Sequence, residues 1–220
     1  MRNITLIVMT SLVTGCVTPM ALEEQVPDVG YVPQGVVAIA VVDERERVEN
    51  GKEPTYLGKA HSSFGIPVDW HVKHIVNTEE GDADKTLAEV LQHRLVIGLR
   101  RDDWNVISME DPSRPDVSKA SILPSDLGAD VLVTLVLNEW YFSINLNWVN
   151  AFNFDTDVDV YVQTVEPARF TQKNIAERDV IEEQADQSAQ NNILEAYRNQ
   201  LVQVFDDPEI RAAIIREGVD

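Results

Sequence analysis

A single thiol and the short apolar segment before it constrain this chain more than any other feature. Cys16 is the only cysteine, so no disulfide within the chain can hold the fold together. It follows Arg2, a mostly apolar run over residues 4–13 and the small Gly15, an order typical of an export signal ending in a lipobox. A run of about ten residues is too short for a membrane-spanning helix, which needs roughly twenty. Because no disulfide is available, the part of the chain after Cys16 must depend on a hydrophobic core for its stability.

The segment Val13-Thr14-Gly15-Cys16 is the expected processing site. Val13, Thr14 and Gly15 are the predicted recognition residues for a signal peptidase. Cys16 is the predicted site of acylation, which would anchor the mature chain to a membrane. The alternatives are a cleaved signal with an unmodified cysteine and an uncleaved anchor.

The residue after the cysteine and the overall charge bear on location and partners. Val17 stands where aspartate would retain a lipoprotein in the inner membrane under enterobacterial-type sorting, so we expect the periplasmic face of the outer membrane, with the inner membrane as the alternative. The chain has 37 acidic against 18 basic residues and a formal net charge of −19. Such an acidic surface argues against a nucleic-acid partner.

Three parts follow from this organisation: a signal peptide over residues 1–15, a lipidated cysteine with a tether over 16–34, and one periplasmic domain over 35–220. The middle part contains Pro19, Pro27, Gly30 and Pro33 and shows little periodicity. Eighteen residues of flexible chain would span roughly 20–25 Å. No later apolar run approaches membrane-spanning length.

Five segments of the domain have strand patterns. Residues 36–42 form a continuous β-rich apolar run, which is typical of a strand buried on both faces. Residues 104–109, 130–148 and 169–181 also predict strands. Residues 152–165 alternate between an apolar face and an acidic face, as expected of a half-buried strand.

Two longer helices are predicted by apolar residues at three- and four-residue steps. The first follows Asp84, a candidate N-cap, and the second covers residues 183–205; a short helix follows Pro208. The polar segment 44–81 is long for a loop, which indicates a functional or partly structured region. We expect its apolar residues to pack against the domain; they include Tyr56, Leu57, Ile66, Val68 and Trp70.

The order of these elements predicts an α+β fold. Strands and helices do not alternate strictly, so a doubly wound parallel sheet is not expected. The expected architecture is a mixed, mainly antiparallel sheet of four or five strands, covered on one face by two helices. No cofactor is predicted.

Histidines and carboxylates form two candidate metal sites, each with a simpler interpretation. His71 and His74, with Asp69 nearby, have a spacing that would suit one helical face, but β-branched neighbours argue against a helix and a third ligand is missing. On the alternating strand, Asp155, Asp157 and Asp159 share one face. They could bind calcium or act as an acid–base pair, although a solvated acidic face is the simpler interpretation.

The serine pair and the aromatic residues also have simpler interpretations. Ser62 and Ser63 precede Gly65 but do not form the G-x-S-x-G pattern of a nucleophile elbow. Four aromatic residues cluster near the end of the predicted hairpin. Packing in the core is their simpler interpretation, and a surface for a partner or lipid is the alternative; they are Trp140, Tyr141, Phe142 and Trp148.

The elements follow one another in a recognisable order. A lipobox is followed by a strand that ends in Asp43-Glu44-Arg45, an amphipathic helix with Leu87-Ala88-Glu89-Val90-Leu91, the segment Gly128-Ala129-Asp130-Val131-Leu132, a long hairpin and a final helix. This order resembles that of the YajG-like envelope lipoproteins. The layout is also similar to the auxiliary lipoproteins of ABC-type lipid or solvent transport systems. The resemblance implies a periplasm-facing, non-enzymatic accessory domain and supplies no catalytic residues. No metal site is predicted.

We therefore expect a non-catalytic envelope lipoprotein that binds a protein partner in envelope assembly or maintenance. A sheet edge or the aromatic hairpin would supply the contact surface. On this interpretation, changing Trp140 or Trp148 to Ala weakens partner capture without abolishing folding. The alternatives are a transport auxiliary that handles a hydrophobic ligand and, third, an envelope hydrolase.

Overall fold

Seven strands form one mixed sheet in the computed structural model, which describes residues 19–62, 65–76, 81–116, 123–146, 151–184 and 187–216. In chain order the strands are β1 (Val36–Asp43), β2 (Tyr56–His61), β3 (Pro67–His71), β4 (Asn105–Ser108), β5 (Val131–Asn145), β6 (Ala151–Thr164) and β7 (Arg169–Glu182).

The described residues also contain helices of very different lengths. They are α1 (Leu22–Gln25), α2 (Glu46–Glu49), α3 (Val72–Ile75), α4 (Leu87–Arg101), α5 (Ala189–Asp206) and α6 (Pro208–Ile215), with short 3-10 turns at Asp82–Asp84 and Pro124–Leu127. No helix within the placed residues combines the length and apolar character that crossing a membrane requires.

The long strand β5 organises the sheet. One edge of β5 pairs antiparallel with β6 along almost its whole length, and β6 pairs antiparallel with β7. The other edge of β5 pairs in parallel first with β1 and then, beyond a gap, with β2. Strand β4 lies beside β1, and β3 lies beside β2. Two short pairs of strands therefore share one edge of a long hairpin.

Helices α4 and α5 cover one face of this sheet, as the sequence predicts. Helix α4 begins with a capping box, in which Thr86 and Glu89 each accept a hydrogen bond from the other residue's backbone N–H. Thr86, rather than Asp84, is therefore the N-cap, because Asp84 belongs to the preceding 3-10 turn. Ser188 caps α5 by accepting from the Asn191 N–H.

The hydrophobic core lies between these helices and the sheet. It contains the leucine stripe of α4, the apolar stripe of α5 and the inward side chains of β1, β5 and β6. A smaller apolar cluster lies on the opposite face of the sheet. Its buried members are Ala38, Ala40, Met109, Ala129 and Leu132.

The predicted α+β class and the two covering helices are confirmed. The five predicted strands correspond to β1, β4, β5, β6 and β7, and the sheet contains two more, because the polar segment 44–81 folds into β2 and β3. Within that segment Tyr56 and Leu57 are buried as expected. Ile66 and Val68 are 59% and 45% exposed, which corrects the expectation that they pack against the domain.

Residues 19–34 lie against the domain, which corrects the prediction of a flexible tether. The Met20 N–H donates to Asn191 Oδ1 at 3.0 Å, and the Val29 N–H donates to the Asp102 carboxylate at 2.7 Å. The segment follows the surfaces of α4 and α5, so its backbone is held by helical side chains. Its buried apolar side chains are Met20, Val26 and Val29.

The contact between this segment and α4 depends on the small size of Gly98. A Cβ atom at Gly98 would lie 2.5 Å from the Pro27 carbonyl oxygen and 2.8 Å from the Pro27 ring. Alanine normally stabilises a helix by up to about 1 kcal/mol relative to glycine. We expect the reverse for Gly98→Ala, a loss of about 1–3 kcal/mol because the backbones must separate. Urea unfolding and limited proteolysis after Pro27 would measure it, and unchanged values of both would contradict the prediction.

Candidate functional site

Several predicted site residues lie outside the part of the chain that the structure describes. They are the processing residues Val13, Thr14 and Gly15, the acylation site Cys16, and Trp148 of the aromatic group. Their predicted roles stay predictions.

Trp140 and Phe142 are fully buried, at 0% exposure each, which corrects the proposal that they form a partner surface. Phe142 meets the ring of Trp70 in β3, with centroids 5.9 Å apart, and Trp140 points from β5 towards α5. The Trp140 ring meets those of Phe154 and Tyr197 edge-on, with centroids 5.6 and 5.4 Å away. These aromatic residues therefore hold α5 on the sheet.

A bulge in β5 is the reason for this arrangement. The register of β5 on β6 shifts between Leu137 and Glu139. One extra residue reverses which side chains face the helices. Before the bulge the odd-numbered residues of β5 belong to the main core, and after it the even-numbered residues do.

Tyr141 is brought to the opposite face by the same bulge and is half-buried. The Arg47 guanidinium lies 3.9 Å from the centre of its ring, in a cation–π contact. Arg47 also forms an ion pair with Glu139, the neighbouring outward residue of β5. Of the described aromatic candidates, Tyr141 alone remains partly accessible.

Arg45 fills the gap where β1 ends and β2 begins. Its guanidinium forms two hydrogen bonds of 2.8 Å to the Asp43 carboxylate. It also donates to the carbonyl oxygens of Tyr56, Pro54 and Trp140. The side chains of Arg45 and Asp43 are only 1% and 10% exposed. The motif Asp43-Glu44-Arg45 thus joins β1, β2 and β5 and has a structural role.

The carboxylates on the acidic face of β6 are bound by neighbouring side chains through hydrogen bonds and ion pairs. Arg114 donates to Asp159 at 2.9 Å and to Glu44 at 2.7 Å. The amide of Asn174 donates to both Asp157 and Asp159. The remaining carboxylate, that of Asp155, forms an exposed ion pair with Arg178.

These contacts change the chemistry of the candidate calcium site. Burial opposes ionisation of Asp159, but hydrogen bonds from Asn138, Asn174 and Arg114 outweigh it and lower the pKa of the carboxyl group. The Arg114 cation already lies where a metal ion would have to balance the charge. Within the described ranges, no cluster of three metal-ligating side chains is found.

The histidine candidates cap a single helical turn. His71 precedes α3, and its backbone N–H donates to His74 Nδ1 at 2.8 Å. Burial lowers the pKa of His74, and the nearby charges of His71 and Lys73 lower it further. Asp69 instead forms an ion pair with Lys52. The Asp69 carboxylate is therefore held by a lysine, and the two histidines stabilise a turn.

Ser62 has a structural role in the turn between β2 and β3. Its hydroxyl donates to the Ile66 carbonyl oxygen at 3.2 Å. Ser63, the other candidate of this pair, lies outside the described residues. The nearest histidine along the chain, His61, has its Nε2 atom 3.4 Å from the Ser143 hydroxyl rather than beside Ser62.

The strand β7 carries the most open surface for an interaction. Its register on β6 is continuous from Arg169 to Glu182, and no other described strand pairs with it. Eight of its 14 side chains are exposed and the other six are partly buried; Val180 is 71% exposed. The sequence predicted this strand. A strand pattern does not show whether one or both edges of the strand will be paired, so its position at the edge of the sheet was missed.

Comparison with known proteins gives only distant structural likenesses. No family model matches the chain, and no curated protein matches it. Protein XCC0632 from Xanthomonas campestris, of family DUF330, has a TM-score of 0.45 at 7% identity over 87% of this chain and 95% of that one. Lipoprotein GNA1162 from Neisseria meningitidis has a TM-score of 0.26 at 9% identity, over 76% of this chain and 97% of that one. The likeness to YajG-like lipoproteins stays a prediction.

Proposed function

We propose that this chain is an acylated envelope lipoprotein, held through Cys16 at the periplasmic face of the outer membrane. Its domain binds a protein partner in envelope assembly or maintenance and carries out no catalysis. The observation that carries the proposal is the open edge of β7, a regular strand of 14 residues.

An open strand edge offers a row of backbone N–H and C=O groups to a partner strand. Such edges are usually shortened, bulged or covered. β7 has no register shift along its pairing with β6, so its outer edge is a regular template. Lys173 and Glu177 are engaged by residues of α5 and α6, but Arg178 and Asp179 are exposed. These two charges oppose unselective pairing and favour a partner of matching charge pattern.

The interior of the domain favours this function over handling of a hydrophobic ligand. A ligand cavity would have to lie between the sheet and the helices. The aromatic side chains available to line it are instead buried against other rings. Trp140 and Phe154 contact each other and Tyr197 of α5, and Phe142 contacts Trp70 of β3. The partner-binding function therefore uses a surface that the fold presents, without rearrangement of the core.

The test uses proline at two neighbouring positions of β7, where both side chains are exposed. Successive N–H groups of an antiparallel strand point to opposite edges. Of Arg178→Pro and Asp179→Pro, one removes a hydrogen bond to β6 and the other removes an outward donor. We expect the outward variant to keep wild-type stability but to lose at least about tenfold in partner captured by crosslinking in the native host.

The matched prolines provide the control, because urea unfolding identifies which of them disturbs the β6–β7 pairing. Cys16→Ser, measured in parallel, tests whether capture needs the anchor. Equal capture by wild type and by the stable proline variant would exclude the β7 edge as the partner site.

A further inference from the structure

Three exposed apolar side chains lie together at one end of the sheet. Ile66 and Val68 belong to the turn between β2 and β3 and the strand after it, and Leu146 follows β5; they are 59%, 45% and 47% exposed. The Leu146 N–H donates to the His61 carbonyl oxygen at 3.0 Å, and the Ser62 N–H donates to the Ile66 carbonyl oxygen at 3.0 Å. We call Ile66, Val68 and Leu146 the tip surface.

The first turn of α5 lies at the same end. The Gln184 N–H, two residues after β7, donates to Asn192 Oδ1 at 2.9 Å. The end of β7 in turn pairs with the start of β6, where Phe152 lies opposite Ile144. Helix α5 therefore starts over the tip and runs towards the other end of the sheet, where Phe205 packs on Trp104.

The N-terminal segment joins the domain beside this turn of α5. Met20 is 8% exposed, and its N–H donates to Asn191 Oδ1 at 3.0 Å. Four residues of fully extended chain span at most about 14 Å. A lipid on Cys16 would therefore hold the end of the domain that contains the first turn of α5 close to the membrane. A free tether of eighteen residues would instead allow a distance of roughly 20–25 Å.

We propose that the tip surface inserts into the lipid surface in which Cys16 is anchored, so that the strands of the sheet run away from the membrane. This inference depends on the acylation of Cys16 in the proposed function. Apolar side chains leave water on entering the lipid interface, and this contact requires no basic residues. Because the chain carries a net charge of −19, we expect it to contact an uncharged lipid surface rather than an anionic one. The contact is therefore insensitive to salt.

The opposite end of the domain supplies matched controls. Val32 and Leu123 are 55% and 52% exposed, close to the values for the tip surface. Val32 follows Tyr31, whose hydroxyl bonds the Phe205 carbonyl oxygen, and Leu123 precedes the turn that leads into β5. Both therefore lie far from the first turn of α5.

The experiment places one fluorescent label at a time in the acylated full-length mature protein. Because acylation blocks the only native thiol, Ile66→Cys, Leu146→Cys, Val32→Cys and Leu123→Cys each offer one site. The labelled proteins are reconstituted in phosphatidylcholine vesicles that contain a lipid with a nitroxide on its acyl chain. We expect the two tip labels to be quenched at least about threefold more than the two control labels, with no change in high salt.

Each other outcome is decisive. Equal quenching at both ends, with Cys16 shown by mass spectrometry to be acylated, overturns the membrane contact and leaves the proposed function intact. Tip labels shielded from aqueous iodide but not quenched by the nitroxide lipid would show that protein covers the tip, and would also overturn it. An unmodified Cys16 overturns the anchor and this inference together.

Discussion

Arg45→Met should lower the free energy of unfolding by about 3–5 kcal/mol, because it leaves a buried charge without its partner. The Asp43 carboxylate, only 10% exposed, would lose both of its hydrogen bonds from the guanidinium. The carbonyl oxygens of Tyr56 and Trp140 would lose a donor as well. Urea unfolding at neutral pH would measure the loss.

Two further variants separate the buried pair from a general effect of removing an arginine. Arg47→Met removes a cation that is 41% exposed and pairs with Glu139 at the surface, so we expect a loss of about 1 kcal/mol or less. Asp43→Asn combined with Arg45→Met removes the uncompensated charge and should recover part of the stability. Equal losses for Arg45→Met and Arg47→Met would refute a special role for the buried pair.

Trp140→Ala is expected to destabilise the domain by about 3–5 kcal/mol. The indole is completely buried and makes edge-on contacts with Phe154 and Tyr197, so its removal leaves a cavity between β5, β6 and α5. The aromatic contacts are lost in addition to the buried area. Thermal and urea unfolding would measure the effect.

The neighbouring Tyr141 provides the control. It faces the other side of the sheet beneath Arg47, so Tyr141→Ala should cost clearly less than Trp140→Ala. Any loss of partner capture in Trp140→Ala should be proportional to the loss of folded protein. Capture lost at unchanged stability would instead restore Trp140 as a binding residue.

Much of the secondary structure follows from local sequence pattern. The continuous apolar run that became β1 is buried on both faces, and the leucine stripe of α4 buries one face, so both patterns are directly visible in the sequence. The alternation in β6 likewise predicts its two faces, and the structure has both up to Asp159. Beyond it Tyr161 and Gln163, predicted on the wet face, are buried, which corrects that part of the prediction. The start of α4 was predicted at Asp84 instead of Thr86, because aspartate and threonine are both favourable N-cap residues.

The bulge in β5 shows why the aromatic residues could not be placed. The stretch from Leu137 to Trp140 has one residue more than the facing stretch of β6. An alternating pattern read without the partner strand contains no sign of this insertion. The burial of Trp140 therefore depends on a pairing partner that lies some 16 residues further along the chain, at Thr156.

Local pattern was sufficient for elements that bury a face of their own, because these depend on residues close in sequence. The acylation site at Cys16 also comes from local pattern and stays a prediction. The positions of residues 19–34, of β2 and β3 and of the open edge of β7 were decided only by the assembled sheet and helices. Residues 19–34 and β2 are held by hydrogen bonds to distant residues, such as that from Met20 to Asn191 and the pairing of β2 with β5. β3 and β7 take their edge positions from the strands on which they pair. Long-range pairing of this kind leaves no periodic signal in one sequence, and it determines which surfaces remain open for function.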